Sequence, residues 1–257
     1  MKIRSLVAAA NIVFAFLLLI GITAEAAEIK VLSAGGMRAV MKDLGPKFER
    51  ASGHKLAITF GNLGAIVKRV QGGEATDVVI IPRQGIDGFV KDGKAVASNV
   101  TVIARSRMGV AVRTGAPKPD ISSPEALRRT LLAAKSITYA NPAGGSGSGV
   151  HFAKVLERLG IANEVKSKTI YSKAGRGVGV LVADGEAEIG AAEFQLLISV
   201  AGIEIVGPLP GDLQDTNVFA AAIMGSARDA EASKALVNFL RTPDAAAVIK
   251  AKGMEPG

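Results

Sequence analysis

Short apolar segments alternate with longer helical segments along almost the whole chain, and this alternation constrains the fold more than any other feature. Residues 77–81 (Asp-Val-Val-Ile-Ile) are apolar after the first position, as in a strand that a sheet buries on both faces. Residues 37–52 instead place Val40, Leu44 and Phe48 at helical spacing. Strands that alternate with helices form parallel sheets through right-handed crossovers. The pattern therefore predicts an α/β protein.

The predicted elements form two series. The predicted strands cover residues 28–32, 55–60, 77–81, 136–140, 167–171 and 189–193. The predicted helices cover residues 37–52, 65–71, 86–92, 127–134, 151–159, 177–185, 196–200, 229–240 and 242–251. An extended middle segment, residues 101–112, joins the two series, and residues 217–223 are expected to return the chain to the first. We therefore expect two lobes, the first of residues 27–108 plus 218–257 and the second of residues 109–217.

The start of the chain has the pattern of a cleavable signal peptide that ends at Ala26. Lys2 and Arg4 precede an almost unbroken apolar run over residues 6–22, and Ala24 and Ala26 occupy the two positions that a signal peptidase reads. The apolar run is nearly long enough to span a membrane, so an uncleaved anchor is the alternative. We expect a protein exported to the periplasm, with no stable membrane insertion after cleavage.

Composition excludes several kinds of site. The chain of 257 residues has no Cys and only two His, which excludes iron–sulfur clusters, zinc–thiolate sites and cysteine nucleophiles. We therefore expect no metal and no cofactor. The net charge is +8, but the basic residues are scattered and only 4% of residues are aromatic, which argues against nucleic acid as a partner. The charge indicates a small anionic ligand, and we expect a monomer.

Three loops, each between a predicted strand and a predicted helix, are candidate binding sites. In open α/β sheets, ligands lie at the carboxyl ends of strands, where helix N-termini favour anions. Residues 33–36 and 61–64 are short turns, and Asn62 can either cap the next helix or donate its amide to a ligand. Residues 141–149 are rich in Gly and Ser and longer than a connection needs. The candidate binding residues of these loops are Gly35, Gly36, Asn62, Ser146, Ser148 and Gly149.

Four further side chains are candidates because of their positions. Arg83 follows a predicted strand and can grip an oxyanion or a carboxylate, and Arg38 lies one turn into a helix beside the same edge. His151 and Glu193 are candidate proton-transfer groups, since Glu193 ends an apolar strand and His151 begins a helix. The alternatives are a surface arginine, a core histidine and a helix-capping glutamate. The chain lacks a nucleotide-binding loop and the G-x-S-x-G motif of serine hydrolases.

Residues 33–44, 60–70, 77–81 and 180–190, in this order, resemble the periplasmic molybdate-binding proteins of ABC importers. The resemblance covers nearly all of the chain after the leader. It implies a type II periplasmic binding protein, in which two α/β lobes close on a hinge over the ligand. It also implies an ABC permease as partner.

The ligand loops depart from the pattern of the family that the chain resembles. The family usually has a serine where this chain has Gly36, a serine pair at Asn62-Leu63 and a tyrosine near Glu193. A tetrahedral dianion is held in that family by hydroxyls and amides. A site that loses hydroxyls and gains a carboxylate and Arg83 indicates a ligand other than molybdate.

Two functions are the main candidates, and a sensor or scavenging subunit without a transporter partner is a third option. The first is a binding protein that captures a small anion, either an oxyanion or an organic polycarboxylate, for an ABC transporter. The alternative is an enzyme on the same scaffold, since exported aconitate isomerases also resemble molybdate-binding proteins. In that case Glu193 or His151 is the candidate base for the allylic proton shift, and Arg83 and Arg38 hold the carboxylates.

Overall fold

The computed structural model describes residues 26–144, 146–173 and 176–257. The predicted signal peptide, residues 1–26, lies outside these ranges except for its last residue. Within the described ranges, every helix is too short or too polar to cross a membrane.

Strands and helices alternate through both halves of the chain. The strands are β1 (Glu28–Ala34), β2 (Lys55–Gly61), β3 (Val78–Pro82), β4 (Ala95–Arg113), β5 (Ile137–Ala140), β6 (Thr169–Ser172), β7 (Ile189–Glu193), β8 (Ile203–Pro208), β9 (Thr216–Met224) and β10 (Glu255–Pro256). The helices are α1 (Arg38–Ser52), α2 (Leu63–Gln71), α3 (Arg83–Lys91), α4 (Pro124–Ala133), α5 (Gly147–Arg158), α6 (Val178–Ala183), α7 (Phe194–Leu197), α8 (Ala230–Phe239) and α9 (Pro243–Ala251). This order confirms the predicted α/β class.

The strands lie in the order β2-β1-β3-β9-β4-β7-β5-β6, with β8 and β10 also paired to β4. In the first half, β1 pairs in parallel with β2 and β3. In the second half, β5 pairs in parallel with β6 and β7. The antiparallel strands β9 and β4 lie between these two parallel sets.

Strand β4 passes from one half of the molecule to the other. Its residues from Ala95 to Arg107 pair with β9, and those from Met108 to Arg113 pair with β7 and β8. The predicted extended segment, residues 101–112, is the central part of this strand. The sequence patterns missed β8 and β10, which are short strands that both pair with β4.

Buried apolar side chains form two main clusters. One is drawn from residues 29–104 and 219–254, and the other from residues 108–213. In the first, strand β3 is fully buried along its length, as its uninterrupted apolar sequence predicts. The two clusters meet where β4 crosses between the halves.

The prediction that residues 141–149 form one long loop is wrong at its end. Helix α5 begins at Gly147, four positions before the predicted start, because the Oγ atom of Ser146 accepts a hydrogen bond from the backbone N–H of Gly149 and caps the helix. Ser148 and Gly149 therefore belong to the first turn of a helix. His151 lies in the second turn, not in the first.

Thr138 offers a test of how the second half is packed. Among the described residues, its buried Oγ1 atom has no hydrogen-bond partner. We expect Thr138→Val, which keeps the branched shape, to raise the free energy of unfolding by about 1 kcal/mol, because it removes an unpaired buried hydroxyl. Urea denaturation measures this. The matched control is Thr169→Val on β6, which should lower stability by about 1 kcal/mol because the Thr169 hydroxyl donates to Val165 O at 2.8 Å.

Candidate ligand-binding cleft

Two adjoining cavities lie between the halves, at the carboxyl ends of the strands. The Arg83 cavity has a volume of about 260 Å³ and is lined by Arg83, His151 and Asp215, among others. The Arg38 cavity has a volume of about 480 Å³, and Arg38 and Lys173 contribute to its lining. The residues that line both cavities are Pro82, Gly147, Ser148, Glu193 and Asn217. We treat the two cavities as one cleft because they share this wall.

The first loop, after β1, contributes Gly35 and Gly36 to the Arg38 cavity. A Cβ atom at Gly36 would lie 2.9 Å from the Phe219 ring and 3.2 Å from the Gln195 amide nitrogen, so a side chain there would displace both neighbours. Gly35 has more room, with Gly61 O as its nearest neighbour at 3.8 Å. Gly36 is therefore explained by packing at the base of the cleft, where a serine would require the Phe219 ring and the Gln195 amide to shift.

Asn62 has both of the roles that its sequence position allows. Its Oδ1 atom accepts from the backbone N–H of Ala65 at 2.8 Å and caps α2. Its Nδ2 atom donates to Gly144 O at 3.0 Å, on the loop after β5. The amide thus connects the two sides of the cleft directly.

The third loop contributes Ser146 and Ser148 to the cleft, and the two hydroxyls lie 3.1 Å apart. Gly149 is placed differently: it is buried, and a Cβ atom there would lie 2.3 Å from Ala140 O. Its N–H is also used by Ser146 in the cap of α5. Gly149 thus lets α5 pack closely against β5, and it is not part of the lining described for either cavity.

Cationic side chains approach the cleft from several elements. Arg83 begins α3, is about half exposed, and donates from Nε to Asp87 Oδ1 at 2.7 Å. The Arg38 guanidinium lies 4.3 Å from the centre of the Phe60 ring, which orients it without cancelling its charge. Lys173, just after β6, was missed by the sequence patterns because it lies beyond a predicted strand in a loop without a motif. These cations favour an anion in the cleft.

Glu193 lies at the wall that the two cavities share. It ends β7, with only 7% of its surface exposed. Its Oε2 atom accepts from Gln195 Nε2 at 2.8 Å, and its Oε1 atom accepts from Asn217 Nδ2 at 2.5 Å. The Ser106 hydroxyl donates to Gln195 Oε1, which orients that amide toward Glu193. The four side chains form a buried polar network that sequence reasoning identified only at Glu193.

Burial raises the pKa of the Glu193 carboxyl above its ordinary value. The hydrogen bonds from Asn217 and Gln195 act in the opposite direction, because they stabilise the carboxylate, but burial has the larger effect. Glu193 is therefore a group that can hold a proton at the centre of an anion-binding cleft.

His151 lines the Arg83 cavity from α5. Its Nε2 atom lies 3.1 Å from Leu213 O, and its Nδ1 atom lies 3.9 Å from Asp215 Oδ2. These contacts orient the ring against the segment that leads into β9. Among the described residues, no group of His, Asp and Glu is arranged to hold a metal ion.

The chain matches the model of the bacterial extracellular solute-binding protein family over residues 29–255. The chain belongs to this family. It is 33% identical to an aconitate isomerase from a Pseudomonas species over 234 residues, which cover 89% of this chain and 87% of the relative. It is 30% identical to the molybdate-binding protein ModA of Azotobacter vinelandii over 240 residues, which cover 91% of this chain and 92% of the relative.

Structural comparison agrees with this assignment. The substrate-binding domain of a putative molybdenum ABC transporter from Clostridium difficile superposes with a TM-score of 0.74 over 90% of this chain and 100% of that one. At 15% identity the likeness shows the fold alone. The solute-binding protein thus has the two-lobed α/β architecture that the sequence resemblance implied, and its similarity to molybdate-binding proteins is confirmed.

Two glycines in the first turn of α5 give a matched test of how this solute-binding protein positions its third loop. We expect Gly149→Ala to lower the free energy of unfolding by about 1–3 kcal/mol, because the new methyl group meets the backbone of Ala140. Gly147→Ala, where nothing lies within 4 Å of the added Cβ, should change stability by less than about 1 kcal/mol. Urea denaturation of both variants measures the difference. Equal effects would contradict the packing role assigned to Gly149.

Proposed function

We propose that this protein is an exported solute-binding protein that captures a small anion between its two lobes and delivers it to an ABC permease. The observation that carries the proposal is the convergence of Arg38, Arg83 and Lys173 on one cleft at the carboxyl ends of the strands. Membership of an extracellular solute-binding family supports export, and the molybdate-binding relative supports an anionic ligand. We expect the periplasm as the location and a monomer as the working unit.

We infer that the lobes consist of residues 27–108 plus 218–257 and of residues 109–217. The division of the buried side chains into two clusters supports these boundaries. Two strands, β4 and β9, then connect the lobes and provide the hinge. The hydrogen bond from Asn62 to Gly144 crosses the cleft and favours the closed arrangement.

We infer that the ligand is a small organic polycarboxylate rather than a tetrahedral oxyanion. Cavities of about 260 and 480 Å³ that share a wall suit an elongated molecule with an anionic group at each end. Arg83, whose Nε atom donates to Asp87, lies at one end, and Arg38 with Lys173 lies at the other. The Ser106 hydroxyl, which lines the Arg83 cavity, donates to Gln195 rather than toward a compact dianion.

A second candidate, isomerisation of such a polycarboxylate, is favoured by one specific observation. Glu193 lies between the two cavities and can hold a proton, as a group must that removes a proton from one carbon and returns it to another. The similarity to an aconitate isomerase agrees with this candidate. A turnover assay with cis- and trans-aconitate on the purified protein separates the two functions, since a binding protein leaves both compounds unchanged.

A thermal-shift panel on the mature protein, stripped of co-purified ligand, tests the proposed ligand class. We expect citrate or an aconitate isomer to raise the unfolding free energy by about 2.7 kcal/mol at about 100 times its dissociation constant. Arg38→Gln and Arg83→Gln should each weaken binding about tenfold or more, because each removes a charged donor. Arg50→Gln, at the exposed end of α1, is the control.

Stabilisation by molybdate or tungstate alone would contradict a polycarboxylate ligand. If none of these anions nor sulfate or phosphate stabilised the protein, anion capture itself would be wrong.

The Asn62 amide provides a test of closure. Asn62→Ser keeps an N-cap residue on α2 but is too short to reach Gly144 O. We expect this variant to have unchanged helix content, a larger radius of gyration in X-ray scattering without ligand, and about fivefold weaker anion binding, as for the loss of one neutral hydrogen bond. An unchanged radius and affinity would show that the Asn62–Gly144 contact does not contribute to closure.

A further inference from the structure

Glu193 places a carboxyl group in the cleft where we expect an anion to bind. Glu193 lines both cavities, so an anion that occupies the cleft lies against its carboxyl group. Its hydrogen-bond partners, Gln195 and Asn217, are neutral amides that supply no positive charge. A cleft that attracts anions through its cations therefore has a carboxyl group at its centre.

Coulomb's law gives the size of the repulsion between an ionised Glu193 and a bound anion. Two unit negative charges about 4 Å apart repel each other by about 4 kcal/mol at an effective dielectric constant of about 20. That repulsion would weaken binding by about a thousandfold. A proton between the carboxyl group and the anion replaces the repulsion with a strong hydrogen bond.

We propose that Glu193 and the bound anion share one proton, so that Glu193 favours anions that present a single carboxylate to it and disfavours compact dianions, which present two charges at the same place. The proton comes from solvent or arrives on the ligand, and no covalent bond of the ligand changes. This inference rests on the proposed anion capture. It makes Glu193 the residue that determines specificity, whichever cation holds the rest of the ligand.

The other charged groups that face Glu193 do not replace it in this role. In the Arg83 cavity, Arg83 is paired with Asp87, and His151 is held against Leu213 and Asp215. In the Arg38 cavity, the charged groups beside Glu193 are Arg38 and Lys173, which are both basic.

The strands packed beside Glu193 contribute uncharged groups to its surroundings. These are Ser106 and Met108 from β4 and Asn217 from β9, while the Arg107 side chain is directed to Glu255. His151 is therefore the neighbouring side chain for which the test needs its own control variant.

The expected pH dependence has a definite sign. Burial already raises the pKa of Glu193 in the free protein, and a bound anion raises it further because it opposes the ionised form. Between these two pKa values the complex holds one proton more than the free protein does. Affinity should therefore fall by about tenfold for each pH unit as the pH rises through this window.

Isothermal titration calorimetry on the mature full chain tests the proposal with two probes, trans-aconitate and molybdate. Each titration is run in two buffers of different ionisation enthalpy, from about pH 5 to about pH 8, which counts the protons taken up on binding. We expect the wild type to take up about one proton with trans-aconitate. Glu193→Gln should abolish this uptake, remove the pH dependence that is not due to the ligand itself, and strengthen molybdate binding at least tenfold.

Glu193→Gln is a close match in size, and the Asn217 amide can rotate to present its oxygen to the new side chain. His151→Gln is the matched variant for the neighbouring titratable group, and it should retain the proton uptake. Thermal unfolding of both variants checks that they are folded. Should Glu193→Gln not fold, the proton counts of the wild type and of His151→Gln together decide the proposal.

Anion binding by the wild type without proton uptake would overturn the inference but leave anion capture intact. Uptake that persists in Glu193→Gln, or that disappears in His151→Gln, would assign the proton to another group and overturn it as well. Molybdate that binds Glu193→Gln but not the wild type supports it. Failure of both probes to bind either protein would overturn this inference, and the thermal-shift panel of all the anions would then decide whether anion capture itself is wrong.

Discussion

The antiparallel pairing of β4 with β9 joins the two halves of the molecule. Because β4 continues from this pairing into its contacts with β7 and β8, both halves of the molecule are built on one strand. The register sets Ser106 opposite Asn217 and Met108 opposite Glu193. The floor of the cleft is therefore made where the two halves are joined, and motion about the junction would act directly on the groups that face a ligand.

The buried polar network of Ser106, Gln195, Glu193 and Asn217 is held at this same junction. A carboxyl group that is nearly fully buried costs free energy unless its oxygens are hydrogen-bonded, and here both are. The network combines a structural and a chemical role, since the contacts that satisfy Glu193 also aim it at the wall shared by the two cavities. Closure and ligand chemistry are thereby linked through one set of side chains.

Packing explains some of the loop glycines that the sequence predicts to bind a ligand. Gly36 allows the Phe219 ring and the Gln195 amide to approach the first loop, and Gly149 allows α5 to approach the backbone of Ala140. In both cases the glycine affects the cleft indirectly, because it lets a neighbouring group pack closely against the backbone. Ser148, on the same turn as Gly149, lines the cleft itself. A Gly-rich loop thus contains residues of both kinds, and their spacing alone does not separate them.

Apolar periodicity and the topology of parallel strands were enough to predict the α/β class, most of the elements and the edge of the sheet at which the cleft forms. Candidates such as Arg38, Arg83 and Glu193 could be chosen for the same reason. Which of these groups contact each other depends on the folded chain. The hydrogen bonds from Asn62 to Gly144 and from Asn217 to Glu193 join residues that are distant in the chain, and such contacts leave no local pattern in the sequence.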